Sequence, residues 1–247
     1  MNRTTSKGVK LLEGPPPMVP LIPEIDFINV MRINFVTNIR LQINYIKMYS
    51  YYCLMNYLAH IYLSGNQPDI MIGNFVADSI KGKKYLTYPT EIQKGILLHR
   101  QIDTATDAHP AFRKSTKRLH EKYGHYSGII VDIFYDHFLA KNWTDYSVTP
   151  LEDYIQSFYK LLRDNFEELP ENIQKMAPIM MERNWLLIYS KLEGIDRVLV
   201  GMNRRTKNRS GMDRAGEELR AYYALFEADF RIVFKDLQTL SNSFLSS

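Results

Sequence analysis

At 247 residues, with 45% hydrophobic and 23% charged residues, the chain has the composition of an ordinary globular protein of one domain or two small ones, long enough to bury a full core. Its net charge of +4 is too small to argue for nucleic acid. The single cysteine, Cys53, excludes a disulfide framework and a cysteine-based zinc site, which fits a reducing compartment with the cytoplasm as the default.

In chain order, residues 1–26 hold five of the eleven prolines and no periodic pattern, so they are expected to be disordered or extended. Residues 27–54 are rich in Ile, Asn and Tyr, but Arg32, Arg40 and Lys47 interrupt every run that would approach the roughly 18 apolar residues a membrane span needs. The charged start, apolar core and small-residue cleavage site of a secretory signal are also missing. The Ile/Asn/Tyr bias is that of translated AT-rich DNA, and Met55 opens a far better patterned segment. Residues 1–54 are therefore expected to be an irregular or non-biological extension, with Met55 the start of a single domain, 55–247.

From Met55 onward apolar residues recur at three and four, and no credible sheet appears, so the expected class is all-α. MNYLAHIYLS makes a first short helix carrying His60, and Gly65 to Pro68 turns the chain. DIMIGNFVADSI repeats the spacing and sets Asn74 and Asp78 one turn apart. Pro89 and Glu91 signal the start of a helix that carries GILLHRQIDTATDAHP, with Ile96, Leu97 and Ile102 expected to anchor it in the core. On it His99 and Asp103 lie four apart, on one face. Asp107, followed by Ala108, His109 and Pro110, reads as a junction, with Asp107 and His109 the hinge that ends this helix.

A basic helix with Arg113, Lys114, Lys117, Arg118 and Lys122 follows. Then HYSGIIVDIFYDHFLAKNW makes an apolar stripe beside Asp132 and Asp136, with His137 inside it. A helix from Leu151 to about Phe166, further segments to Asn203, and a long amphipathic stretch from Gly211 to Leu240 complete the domain. Between Gly201 and Arg214, Arg204, Arg205, Lys207, Arg209 and Arg214 face only Asp213, a local charge of +4 that suits a solvated surface or an acidic partner. No glycine-rich phosphate loop, dinucleotide fingerprint or internal repeat is present.

The candidate chemistry lies in His60, Asp78, His99, Asp103, Asp136 and His137. Mixed imidazole and carboxylate ligands paired at four on inward helix faces suit Mn²⁺, Fe²⁺, Mg²⁺ or Zn²⁺. Asp136 and His137 sit on an apolar face, where an unpaired charge is costly and calls for a partner such as a metal. For each residue a bland reading stands beside this one. His60 reads equally as a satisfied core histidine, Asp103 as a partner for His99 or Arg100, and the Asp136, His137 pair as a buried hydrogen-bonded dyad. Arg100 suits a phosphate oxygen or a surface salt bridge. His109, His120 and His125 read as surface residues.

MNYLAHIYLS, IGNFVADSIKG, YPTEIQKGILLHRQIDTATDAHP and VDIFYDHFLAKNW, in this order, resemble the acyl carrier protein phosphodiesterases, also called acyl carrier protein hydrolases, with GMNRR and the last helix as weaker support. The resemblance runs from Met55 to about Leu240. It implies a helical fold distantly like the HD-domain metal-dependent phosphohydrolases, although here the pair reads Asp136, His137. It implies hydrolysis of the phosphodiester that joins 4′-phosphopantetheine to a serine of holo acyl carrier protein, with Mn²⁺ preferred and Mg²⁺, Fe²⁺ or Co²⁺ able to replace it. Carried over by motif, Asp78, His99, Asp103, Asp136 and His137 look like the metal and catalytic set, with His60 as companion and Arg100 at a matching position. The acidic carrier would dock on the basic helix of residues 113–122 or on the Arg204 to Arg214 run. The alternatives are a phosphohydrolase of a nucleotide or another small phosphoester, and a helical module that binds the carrier without turnover.

Overall fold

The computed structural model describes residues 57–247; the expectations for the extension and for a start at Met55 lie outside the described residues. Eleven α-helices make up this part, with no strand among the described residues, in agreement with the all-α reading. They are α1 (Tyr57–Leu63), α2 (Pro68–Val76), α3 (Thr90–Ala108), α4 (Pro110–Tyr123), α5 (Ser127–Lys141), α6 (Leu151–Asp164), α7 (Glu171–Glu182), α8 (Trp185–Ile188), α9 (Leu192–Arg205), α10 (Ala215–Ala221) and α11 (Tyr223–Leu245). Among the described residues no helix is long and apolar enough to cross a membrane.

Local chemistry sets most boundaries. Gly65 takes φ +64 in the first turn, and Pro68 opens α2, where its missing N–H costs nothing. Pro89 and Pro150 stand at the N-caps of α3 and α6. α3 runs through Ala108 and ends in the expected junction, with the break at His109 (φ −70, ψ 128), whose Nδ1 accepts the Ala111 N–H and so caps α4, and not at Asp107. The expected long terminal stretch is divided at Tyr222 (φ −115, ψ 24) into α10 and α11, and α11 continues past Leu240 to Leu245.

α5 is the centre of the domain. Ile130, Val131, Ile133, Phe134, Phe138 and Leu139 are buried around its whole circumference, the mark of a helix enclosed on every side. α11 lies along it, with Phe138 stacked on Phe230 and Phe134 edge-on to Phe226. On α3 the buried residues are Ile92, Gly95, Ile96, Leu98, His99, Ile102 and Thr106; Leu97, expected in the core, is 38% exposed because it falls between the turns of that face. Of the five basic residues of α4, Lys114 and Arg118 pair with the buried Asp229 of α11, and Lys122 pairs with Glu218 of α10.

α2 and α3 cross in backbone contact. A Cβ on Gly73 would lie 2.2 Å from the Ile92 carbonyl oxygen, and one on Gly95 would lie 2.3 Å from the Ile70 oxygen. Only two glycines permit this approach, which brings Asn74 and Asp78 on one side against His99 and Asp103 on the other. Gly95→Ala is expected to lower stability by about 3 kcal/mol, because a methyl group there must push two backbones apart. Urea unfolding of the variant checks this, and a loss below about 0.5 kcal/mol contradicts the crossing.

Candidate metal centre

The site grows from Asn74, buried on α2. Its Nδ2 donates to the His60 carbonyl oxygen (3.0 Å) and to Ser64 Oγ (2.9 Å), which orients the amide and leaves Oδ1 facing two imidazoles. His60 Nδ1 lies 2.8 Å and His99 Nδ1 3.1 Å from that one oxygen. An amide oxygen only accepts, so both rings carry hydrogen on Nδ1. The rings stack with centroids 4.1 Å apart, and both Nε2 atoms point to the same place.

Asp103 waits there, with Oδ1 3.2 Å from His60 Nε2 and Oδ2 3.2 Å from His99 Nε2, and Asp78 Oδ1 lies 3.3 Å from His99 Nε2. His60 Nε2 is buried with only Asp103 Oδ1 before it, and with the ring proton on Nδ1 lone pair faces lone pair across that gap. Such an arrangement calls for a positive charge between the atoms. His60, His99 and Asp103 each offer one ligand atom within 4.8 Å of the others, a donor set of two imidazoles and a carboxylate that could hold a divalent metal ion. A single amide fixing both tautomers from behind is the kind of support that ligand histidines require.

Burial divides the site into floor and rim. The histidine side chains are 1% and 2% exposed, whereas those of Asp78 and Asp103 are 50% and 48% exposed. Burial works against a charged His99, but the carboxylates of Asp103 and Asp78 outweigh it and push its pKa up to about 9. Burial and the neighbouring His99 hold His60 below its ordinary value. Burial also opposes the charge on Asp103, yet the two imidazoles keep it well below the usual carboxylate range.

Four of the sequence candidates, His60, Asp78, His99 and Asp103, are thus brought together. Asp136 and His137 have other partners. Asp136 accepts the backbone N–H groups of Leu58 (3.1 Å) and Ala59 (2.9 Å) at the start of α1. Burial pushes its pKa up to about 8, and those two N–H groups pull it back. The buried carboxyl that seemed to require a metal thus has the free donors of a helix N-terminus as its partners. His137 Nδ1 lies 2.7 Å from the Tyr189 carbonyl oxygen and donates to it; its Nε2 accepts from Tyr223 OH at 2.8 Å. Arg100 spends its Nη2 on the carbonyl oxygens of Ile80 (3.0 Å) and Gly82 (2.9 Å), fastening the segment that follows Asp78. Asn74 was placed one turn before Asp78 from sequence but not counted among the site candidates, although a polar residue inside IGNFVA was a signal for it.

Residues 55–237 match the family described as acyl carrier protein phosphodiesterase. Among curated relatives that carry this name, the chain is 31% identical to one from Photorhabdus laumondii over 177 residues, which is 71% of this chain and 89% of the relative. It is 29% identical to one from Pectobacterium atrosepticum, over 71% of this chain and 92% of the relative. It is 33% identical to one from Yersinia pestis over 157 residues, which is 62% and 80% of the two chains. No solved structure matches the chain.

The raised pKa of His99 sets a pH dependence. A charged His99 stabilises the metal-free fold fully below the ordinary value of 6.5, and that contribution is lost as pH rises through about 9. A cation at Nε2 must displace the same proton. Its affinity is therefore expected to rise by up to about tenfold per pH unit between these limits and to level off above them. Calorimetric titration of Mn²⁺ across this range checks it; an affinity independent of pH contradicts the assignment.

Proposed function

The chain belongs to the acyl carrier protein phosphodiesterase family, and we propose that it hydrolyses the phosphodiester between 4′-phosphopantetheine and a serine of holo acyl carrier protein, using a divalent cation, Mn²⁺ by preference, at His60, His99 and Asp103. Water oxygen bonds to phosphorus, the bond from phosphorus to the serine oxygen breaks, and that oxygen takes a proton, giving apo carrier and free 4′-phosphopantetheine. The observation that carries this reading is the pair of buried imidazoles whose Nδ1 protons are pinned to Asn74, so that both Nε2 atoms meet beside one carboxylate.

A bound cation supplies Lewis acidity toward a nonbridging phosphate oxygen and lowers the pKa of a coordinated water. The residues do the rest. His60 and His99 present preset lone pairs, and Asp103 offsets the positive charge. Asp78, half exposed at the rim and 3.3 Å from His99 Nε2, orients the attacking water and takes its proton. Arg100 positions Asp78 through its hold on Ile80 and Gly82. Asp136 acts by fixing the first turn of α1, and so the position of His60, while His137 braces α5 against Tyr189 and Tyr223. Residues 55–247 form the catalytic domain in this reading. Histidine and aspartate groups offered by successive helices suit a divergent HD-type arrangement.

The basic surface of residues 204–214 suits an acidic carrier better than α4 does. Three of the five α4 cations are held in internal ion pairs, whereas Arg204, Lys207, Arg209 and Arg214 are exposed and form no ion pair among the described residues. Asn203 holds this segment in shape through Asn208, Ser210, Gly211 and Asp213.

Incubation with holo acyl carrier protein and Mn²⁺, followed by mass spectrometry of the carrier, tests the reaction. Loss of the phosphopantetheine mass is expected, and His99→Ala should abolish it. An unchanged carrier mass, whether with turnover of a nucleotide or with binding alone, rules the reading out. The triple variant Arg204→Glu, Lys207→Glu, Arg209→Glu is expected to raise KM by roughly tenfold with little change in kcat, an effect that shrinks at high salt. A kcat loss at unchanged KM contradicts the docking role.

A further inference from the structure

The short 3₁₀ helix Gly82–Thr87, which follows Asp78, buries none of its residues, yet the chain on both sides of it is tied down. Arg100 Nη2 donates to the carbonyl oxygens of Ile80 (3.0 Å) and Gly82 (2.9 Å), and its guanidinium lies over the Tyr85 ring, 5.1 Å from the centre. Gln93 Nε2 donates to the Tyr88 carbonyl oxygen (2.7 Å), and Asn172 Nδ2 donates to Ser79 Oγ (2.7 Å). Arg100 directly follows His99 on α3, and Asp78 lies 3.3 Å from His99 Nε2, so this segment borders the rim of the site. A surface held in this way needs little further ordering when a partner lands on it.

What the segment presents is positive and apolar. From Ser79 to Arg100 the chain carries Lys81, Lys83, Lys84, Lys94 and Arg100 against Glu91 alone. Lys81, Lys83 and Lys84 are exposed and form no ion pair among the described residues. Leu86 is 56% exposed, and Leu97, one turn from both Gln93 and Arg100 on α3, is 38% exposed. The rim itself carries the exposed acids Asp78 and Asp103, which repel an acidic macromolecule unless cations stand close by.

We propose that Lys81, Lys83 and Lys84, with Leu86 and Leu97, form a docking surface for an acidic carrier protein, which sits on this 3₁₀ helix while its phosphodiester reaches the metal centre. Charge complementarity selects the occupant: an acidic protein that delivers a phosphodiester to this rim lies against what borders the rim. The lysines steer and orient the carrier, and the leucines take an apolar side chain from it. The surface acts in addition to residues 204–214, and the inference rests on the carrier reading of the site.

The test is calorimetric binding of apo acyl carrier protein, which has no phosphodiester to lose, to the full chain in Mn²⁺ at low and high salt. The triple variant Lys81→Glu, Lys83→Glu, Lys84→Glu is expected to weaken binding at least about tenfold at low salt, a difference that shrinks at high salt. Leu86→Ser is expected to weaken it about threefold at both salts, as a lost apolar contact does. A control that reverses as many exposed lysines elsewhere, Lys117→Glu, Lys191→Glu, Lys235→Glu, should stay within about twofold of the parent. Equal weakening by the control, unchanged binding in the Lys81, Lys83, Lys84 variant, or no binding by the parent overturns the surface. Turnover of holo carrier is read separately by mass. Turnover by the parent with normal binding in the triple variant removes the surface and leaves the reaction, whereas lysine-dependent binding without turnover removes the reaction and leaves the surface.

Discussion

The crossing of α2 and α3 at Gly73 and Gly95 is the constraint from which the site follows. Helices carrying ordinary side chains pack about 8–10 Å apart, and a missing Cβ on both partners lets them approach more closely. Here the approach places each glycine under a carbonyl oxygen of the other helix. Residues one place or one turn away then face one another at hydrogen-bond range. Asn74 follows Gly73 directly, and His99 lies four residues after Gly95, so the contact that packs the helices also sets amide against imidazole.

The polar interior is organised as a chain of support. Ser64 and the His60 carbonyl oxygen orient the Asn74 amide, the amide fixes two histidine tautomers, and the tautomers decide where two lone pairs point. Each buried donor or acceptor behind the imidazoles therefore has a partner, and the unmet demand is concentrated at the Nε2 edge. Buried polar networks are costly when incomplete, so a network complete on one side and open on the other marks the side where a ligand is wanted. The buried Asp136 illustrates the contrast, because the first turn of α1 already supplies its donors. Buried Asp229 and Glu218 are likewise met by arginine, lysine, serine and tyrosine groups of α4.

Much of the site was legible in the sequence because helical spacing is a local property. The four-residue spacing of His99 and Asp103, and of Asn74 and Asp78, predicted which side chains share a face. The motif resemblance agreed with the matched family. Leu97 was misplaced because a run of apolar residues does not reveal which member falls between turns. The junction expected from Asp107 to Pro110 is where α3 ends, and within it the break falls on His109, whose ring caps the next helix. The long amphipathic stretch after Gly211 hid a break at Tyr222, since both halves bury the same kind of face and the periodicity barely changes across it.

Composition, helical periodicity and motif order by themselves determined that this is an all-α protein, with its candidate histidines and acids carried by the segments around His60, Asp78 and His99. Only the tertiary structure decided which of these residues meet. Two acids of equal sequence merit, Asp103 and Asp136, have opposite surroundings: one faces two imidazoles at the rim, the other caps a helix in the core. The physical reason is that a carboxylate's role depends on the donors and charges within a few ångströms of it. Those neighbours come from helices remote in the chain, so no local pattern records them.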